Sequence, residues 1–180
     1  NKEVYIIATK NKVATNLVSK VKFFFDNLPD FMRPYNTKPP VDNRQSIELS
    51  NGSKVQASGT TEDAGRSEAL SLLIVDEAAF IKGMADIWIA AQPTLSTGGD
   101  CIALSTPNGI GNWFHKTYIE AEEGVKVEIG GKMVGFNAIK LHWSMHPDRT
   151  DEWAENERIT IGVRAFAQEH DADFLQSGNN

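Results

Sequence analysis

The chain has 180 residues, of which 41% are hydrophobic and 23% are charged, and its net charge is −6. This length is enough for one domain with a sizeable core and is short for two. No apolar run approaches the roughly 20 residues that a membrane-spanning helix needs. The negative charge argues against a general coating of nucleic acid, which depends on neutralising phosphates. It leaves room for a local basic surface, or for nucleic-acid contacts made by another domain.

The N-terminal part of the sequence predicts a strand followed by a helix. Residues 4–8 are a short apolar run typical of a buried strand, and Thr9 is a candidate cap for the element that follows. The helix is predicted from apolar residues that recur at helical spacing until Pro29: Val13, Leu17, Val21, Phe24 and Leu28. Prolines predict an irregular segment over 29–45. A strand followed by an amphipathic helix indicates an α/β fold.

The middle of the chain predicts a hairpin and two buried strands. Residues 46–57 alternate around Asn51-Gly52, the strongest short hairpin signal, and the polar residues 58–69 predict a loop. The apolar runs 72–75 and 102–104 are typical of buried parallel strands. Cys101, the single cysteine, excludes an internal disulfide and fits a reducing compartment. Because it begins an apolar strand, we expect its thiol to be buried and unreactive.

The remaining elements are predicted from the same patterns: helices over 85–92, 113–123, 151–158 and 160–174, a hairpin over 125–134, and a strand over 136–143. Asn112 marks the start of the helix over 113–123, and Gly124 marks its end. Gly130-Gly131 forms the turn of the second hairpin, and Thr160 is the expected cap of the last helix.

Two carboxylates, Asp76 and Glu77, directly follow the apolar strand over 72–75. In an open α/β sheet, ligands bind at the carboxyl ends of the strands. Adjacent acids after an apolar strand are the pattern of a Walker B segment, in which the Asp helps to hold Mg²⁺ and the Glu orients or deprotonates the attacking water. The alternative is a strand that simply ends in two solvated acids.

A polar turn, Ser105-Thr106-Pro107-Asn108-Gly109, follows the second buried strand. Taken alone it predicts an ordinary turn, since Pro and Asn-Gly are turn formers. Beside a Walker B strand, the hydroxyls of Ser105 and Thr106 would lie near a γ-phosphate and would report hydrolysis to the segment that follows.

Arg66 lies in the polar loop that precedes the acidic strand. Its ordinary interpretation is a solvated loop arginine, but a guanidinium on a loop is also what an arginine finger requires. His142 and His146 are four residues apart, yet Pro147 opposes a continuous helix and no third ligand is evident, so a zinc site is not expected.

These residues resemble the large terminase subunit of tailed bacteriophages. The resemblance rests on Asp-Glu-Ala-Ala-Phe-Ile at 76–81 and Thr-Pro-Asn-Gly at 106–109, in this order and spacing. Further similar segments are residues 27–31, 46–57, 63–66, 87–88, 92–93 and 166–170. The resemblance implies an α/β P-loop NTPase core of the RecA-like type, with a mostly parallel sheet flanked by helices and β-hairpin additions. It also implies that residues 1–180 form a single domain, the later part of the ATPase domain.

The resemblance further implies an ATP-driven motor that packages double-stranded DNA into a procapsid. Its implied partners are the portal protein, the small terminase subunit and copies of itself in a ring, and its implied location is the host cytoplasm, transiently at the portal vertex. Asp76 matches the residue for Mg²⁺, and Glu77 matches the catalytic Glu. The set Ser105, Thr106 and Pro107 matches the nucleotide-sensing coupling motif, and Arg66 matches a position proposed in some members as a trans arginine finger.

The phosphate-cradling motif G-x-x-x-x-G-K-[ST] does not occur in these residues, and neither do the acids of the family's nuclease domain. With no initiator Met at Asn1, we expect a piece of a longer polypeptide that hydrolyses ATP poorly or not at all by itself. Two other interpretations are a segment of a helicase-type ATPase and a non-catalytic prophage remnant or partner-binding subdomain. A phosphate loop upstream in frame would exclude the remnant, and acid clusters downstream would separate terminase from helicase.

Overall fold

The computed structural model describes residues 1–33, 41–60, 69–129 and 132–178. Within these residues no helix is both long enough and apolar enough to span a membrane. The chain divides into two compact units, Asn1–Leu104 and Ser105–Asn180. The expectation of one domain over residues 1–180 stays a prediction.

The first unit contains a sheet with the strand order β2-β3-β4-β1-β5-β6. Its strands are β1 (Glu3–Ala8), β2 (Val41–Asn43), β3 (Ser46–Glu48), β4 (Lys54–Gly59), β5 (Leu72–Asp76) and β6 (Asp100–Leu104). Its α-helices are α1 (Asn11–Asn27) and α2 (Met84–Ala91), with 3₁₀ turns at Asp30–Met32, Ala78–Phe80 and Gln92–Leu95.

Four strands of this sheet, β4, β1, β5 and β6, run parallel, which confirms the prediction of a mostly parallel sheet. The predicted hairpin is also confirmed, since β3 pairs with β4 in antiparallel register with Ile47 opposite Val55. The segment over 29–45 was predicted to be irregular, but residues 41–43 form β2 and pair with β3. The Asn43 side chain explains this difference, because its Oδ1 accepts the N–H groups of Gln45 and Ser46 at 2.9 Å and closes the turn.

The core of the first unit is built by alternation along the strands. On one face, Ile6 and Ala57 pack with Ala14 and Val18 of α1, and Ile74 lies partly buried against this cluster. On the other face, Ile7, Leu73 and Val75 are fully buried. Thr9 does not cap α1, which begins after Lys10 without a cap from any described side chain.

Strand β6 departs from the predicted buried strand. Ile102 and Leu104 are 50% and 45% exposed, because β6 is the last strand of the sheet within the described residues. Cys101, on the opposite face of the same strand, is partly exposed, and burial raises the pKa of its thiol to about 12. A thiol with this pKa carries almost no thiolate at neutral pH, which agrees with the expected unreactive cysteine.

The second unit consists mainly of short helices. Its elements are α3 (Trp113–Glu122), β7 (Val127–Ile129), β8 (Lys132–Val134), α4 (Asp151–Ile161), α5 (Val163–Glu169) and α6 (Phe174–Ser177), with a 3₁₀ turn at Trp143–Met145. The helix and hairpin predicted over 113–134 are confirmed. Asn112 caps α3 by accepting the His115 N–H at 3.0 Å.

Two predictions in this unit are wrong. The segment over 136–142 forms no strand, and Trp143 instead donates its backbone N–H to the His170 carbonyl and its indole N–H to Asp171. The helix boundary near residue 160 is also misplaced. Helix α4 continues to Ile161 and stops at Gly162, whose φ is 86°, while the Thr160 hydroxyl donates back to the Asn156 carbonyl.

Candidate functional site

Asp76 is the last residue of β5 and lies at the carboxyl end of the parallel strands. By strand alternation it shares a face with Leu72 and Ile74, and it is partly exposed beyond the packed part of that face. Its register partner on β6 is Leu104. The structure therefore places this carboxylate at the sheet edge where open α/β sheets bind ligands.

Glu77 adopts a left-handed backbone conformation, with φ of 56° and ψ of 42°. Such a conformation costs a residue with a side chain about 1–2 kcal/mol. The turn that follows holds it in place, because the Glu77 carbonyl accepts the Phe80 N–H at 2.9 Å. Ala78, Ala79 and Ile81 are buried and anchor this turn. Left-handed residues other than glycine concentrate at functional sites, where the surrounding structure imposes them.

The donor set at the end of β5 suits one kind of metal. The described residues contain no cluster of three or more His, Cys, Asp or Glu side chains able to hold a metal ion. Mg²⁺ usually takes only one or two protein carboxylates and completes its shell with water and substrate phosphates. Asp76 therefore fits a Mg²⁺ ion that arrives with a nucleotide, and does not fit a metal held by protein alone.

The turn over 105–109 is held by side chains on both sides. Asn112 Nδ2 donates to the carbonyls of Asn108 and Gly109 at 3.0 and 3.3 Å. The Gly109 N–H donates to the Ser177 hydroxyl at 3.0 Å. Pro107 is fully buried. These contacts make it more constrained than the ordinary turn that its composition predicts.

Within that turn, Ser105 and Thr106 are half-buried and Asn108 is exposed. Ser105 follows Leu104 directly in the chain, and Leu104 is the register partner of Asp76. The predicted order, in which the acids end one strand and the hydroxyls follow its neighbour in the sheet, is thus confirmed for β5 and β6.

Arg66 and its loop lie outside the described residues. The two histidines considered as zinc ligands each have protein partners. His142 places Nε2 3.2 Å from Asp171 Oδ1 and Nδ1 2.8 Å from the Ser144 hydroxyl. His146 Nδ1 accepts the Asp148 N–H at 3.2 Å.

Two features of this region carry no sequence signal. Glutamate is not a residue that favours the left-handed region, so the conformation of Glu77 is not predictable from its type. Ser177 lies 68 positions from the glycine whose N–H it accepts, in a segment that shows only a helical pattern.

Comparisons with known proteins agree with this geometry. The family described as terminase large subunit, T4likevirus-type, N-terminal, matches residues 1–171. The large terminase ATPase domain of Thermus phage P74-26 is 24% identical with a TM-score of 0.71, and the match covers 97% of this chain and 77% of that one. A variant of the same domain is 23% identical with a TM-score of 0.72, covering 97% and 77%.

A large terminase from another thermophilic bacteriophage, solved in complex with ADP, is 10% identical with a TM-score of 0.67 over 97% of this chain and 41% of that one. At these identities the solved structures establish the fold, and they confirm the predicted RecA-like α/β core. The family match covers nearly the whole chain, which therefore belongs to the large terminase subunits, in their T4likevirus-type N-terminal region, and has its role in phage DNA packaging.

Proposed function

We propose that this chain supplies the metal and water side of an ATPase site that drives double-stranded DNA into the procapsid. The observation that carries the proposal is the exit of β5, where Asp76 is followed by Glu77 in an imposed left-handed conformation. A strained acid at the carboxyl end of a parallel strand has the position and the chemistry that nucleotide hydrolysis needs.

In the proposed reaction, Asp76 holds Mg²⁺ together with the phosphates of ATP, and the ion neutralises charge that develops on the transferred phosphoryl group. Glu77 orients the attacking water and accepts its proton. The water oxygen bonds to the γ-phosphorus while the bond to the ADP oxygen breaks, which releases ADP and phosphate. The ADP bound to the related terminase supports a nucleotide of this class.

Two further groups complete the proposal. Ser105, Thr106 and Pro107 sense the γ-phosphate and pass its loss to the elements that move DNA. Arg66 acts on the phosphate of a neighbouring subunit in a ring, since a guanidinium suits the charge of the transition state. The sequence contains no G-x-x-x-x-G-K-[ST] loop, so these 180 residues hydrolyse ATP only together with such a loop.

The proposed setting is the host bacterial cytoplasm, with transient assembly at the portal vertex of the procapsid. The portal protein and the small terminase subunit are the proposed partners, and a nuclease domain is proposed for the same polypeptide. The net charge of −6 favours DNA contact through local surfaces or through another domain over contact spread across the whole chain.

The substitution Glu77→Gln tests this function in the complete polypeptide encoded by this reading frame. The amide cannot accept the proton from water, so we expect the ATP hydrolysis rate to fall by about 10²–10⁴-fold. ATP affinity, measured by titration of a fluorescent nucleotide, should stay within about twofold, since general-base loss acts on the chemical step.

Glu120→Gln is the matched control, because Glu120 is an exposed acid on α3 and should leave hydrolysis unchanged. Hydrolysis that persists in Glu77→Gln would remove the catalytic role of Glu77. A wild-type polypeptide that binds no nucleotide would instead support a non-catalytic remnant.

A further inference from the structure

Ser177, the last residue of α6, is a polar side chain only 4% exposed. Its hydroxyl accepts the buried Gly109 N–H at 3.0 Å and donates to the Phe174 carbonyl at 3.1 Å. The hydroxyl is therefore satisfied in both directions, and it is the acceptor of a backbone N–H that is shielded from water. Buried N–H groups are almost always paired, so this bond holds the turn over 105–109 against α6.

Gly109 and Gly178 form a second contact beside this hydrogen bond. A Cβ atom added to Gly178 would lie 2.8 Å from the Gly109 Cα, and one added to Gly109 would lie 2.8 Å from the Gly178 Cα. Gly109 also has φ of 69°, in the region that favours glycine. The two backbones approach so closely that neither position accepts a side chain without a shift of the turn.

The position of α6 is itself fixed from both ends of a short linker. Asp171 Oδ1 accepts the Trp143 indole N–H at 3.0 Å, and Asp173 caps α6 by accepting the N–H groups of Leu175 and Gln176. Between them, Ala172 has φ of 51°, a left-handed conformation that the two anchored acids impose.

Aromatic packing holds the same helix against α3. The Phe174 ring lies 4.9 Å from the His115 ring and 5.3 Å from the Tyr118 ring, measured between centroids. Helix α3 begins just after the turn over 105–109, at its cap Asn112. The turn is thus enclosed by one rigid group of contacts, with Asn112 on one side and Ser177 with Gly178 on the other.

We propose that Ser177 and Gly178 are positioning residues for ATP hydrolysis, which hold the turn over 105–109 in the conformation that places Ser105 and Thr106 for phosphate sensing. This inference rests on the proposed function of that turn. Through the same contact, a change in the turn on phosphate release would be felt at the chain that leaves α6.

The test uses Ser177→Ala and Gly178→Ala in the complete polypeptide. Ser177→Ala removes the acceptor of the Gly109 N–H, and Gly178→Ala displaces the turn while Ser177 is kept. We expect each to lower kcat for ATP by about ten- to a hundred-fold, since small misplacements in an active site have costs of this size, with KM within about twofold. Hydrogen exchange of the peptide that contains Gly109 should accelerate, because the turn opens more readily.

Leu175→Ala is the matched control, because Leu175 is an exposed residue of the same helix and has no printed contact with the turn. It should leave kcat and the exchange rate unchanged. Faster exchange with an unchanged kcat would overturn the positioning role, and unchanged exchange in Ser177→Ala would overturn the contact as the restraint on the turn. If Glu77→Gln keeps full activity, the proposed function fails and the positioning role with it. If only Glu77→Gln loses activity, the inference about Ser177 and Gly178 fails alone.

Discussion

At the scale of single residues, the backbone and the chemistry at Glu77 make opposite demands. Glycine is the residue that best tolerates φ of 56° and ψ of 42°, yet glycine has no carboxylate. The strand before Glu77 and the buried alanines after it impose this conformation. We infer that stability is sacrificed here for a carboxylate at the end of β5.

This conflict predicts the relative stabilities of two substitutions. Glu77→Gly should be more stable than Glu77→Ala by about 1–2 kcal/mol, because alanine keeps the steric cost of the left-handed region and glycine does not. Urea denaturation followed by far-UV circular dichroism measures the difference.

The matched control at Glu120, inside α3, should give the opposite sign. There Glu120→Gly should be less stable than Glu120→Ala by about 1 kcal/mol, because glycine is a poor helix former. A Glu77→Ala protein as stable as Glu77→Gly would contradict a strained backbone at this position.

At the scale of elements, α6 has only four residues and depends on its cap. A helix this short cannot repay the cost of its own nucleation, so tertiary contacts and capping must hold it. Asp173 supplies the cap, and the backbone N–H of Gln176, with further hydrogen bonds from the same turn, lowers the pKa of its carboxyl below the ordinary value. The charged form of Asp173 is therefore the form that stabilises α6.

The lowered pKa predicts a pH dependence of stability. The contribution of Asp173 should be complete above its ordinary pKa of about 3.9 and should be lost as the pH falls through the lower folded value. Asp173→Asn keeps a good capping side chain but cannot ionise. The difference in unfolding free energy between wild type and Asp173→Asn should thus shrink on acidification, measured by urea denaturation from neutral pH downward.

Asp148→Asn controls for the loss of one negative charge, because Asp148 is an exposed acid outside the helices of the same unit. A wild-type advantage over Asp173→Asn that stays constant with pH would show that the charge of Asp173 has no part in the cap.

At the scale of the whole molecule, each unit has its own core. The first is built on Ile6, Ala8, Ala14, Val18 and Ala57, and the second on Trp143, Ala154 and Phe166 with Trp153 beside them. Two arginines cover the second cluster, with Arg149 4.6 Å from the Trp153 ring centre and Arg158 4.3 Å from the Phe166 ring centre. Cation–π contacts of this kind add to the burial of the rings.

The second core predicts the effect of truncating Phe166, which is fully buried. Phe166→Ala should lower the unfolding free energy by about 3–5 kcal/mol, through lost burial and the cavity that remains. Phe31→Ala makes the same change at a ring that is 87% exposed, and it should stay within about 0.5 kcal/mol of wild type. Thermal and urea denaturation measure both, and equal effects would contradict the packing described.

The predictable part of the fold is the part with local causes. The strands around Ile7 and Val75, the hairpin at Asn51-Gly52 and the cap at Asn112 follow from alternation and turn chemistry, and all are confirmed. The prediction failed for the segment that ends at Trp143, whose alternating pattern resembles a strand. There the backbone and indole N–H groups bond to His170 and Asp171, and tertiary contacts override the local preference.

The sequence by itself determined the α/β class, the order of the strands and the pair of acids after β5, because hydrophobic spacing and residue type act over a few neighbouring residues. Only the tertiary structure decided which strand lies at the sheet edge, the left-handed backbone of Glu77 and the bond between Ser177 and Gly109. That bond joins residues 68 positions apart, and no local pattern encodes a contact that forms only when distant elements pack together.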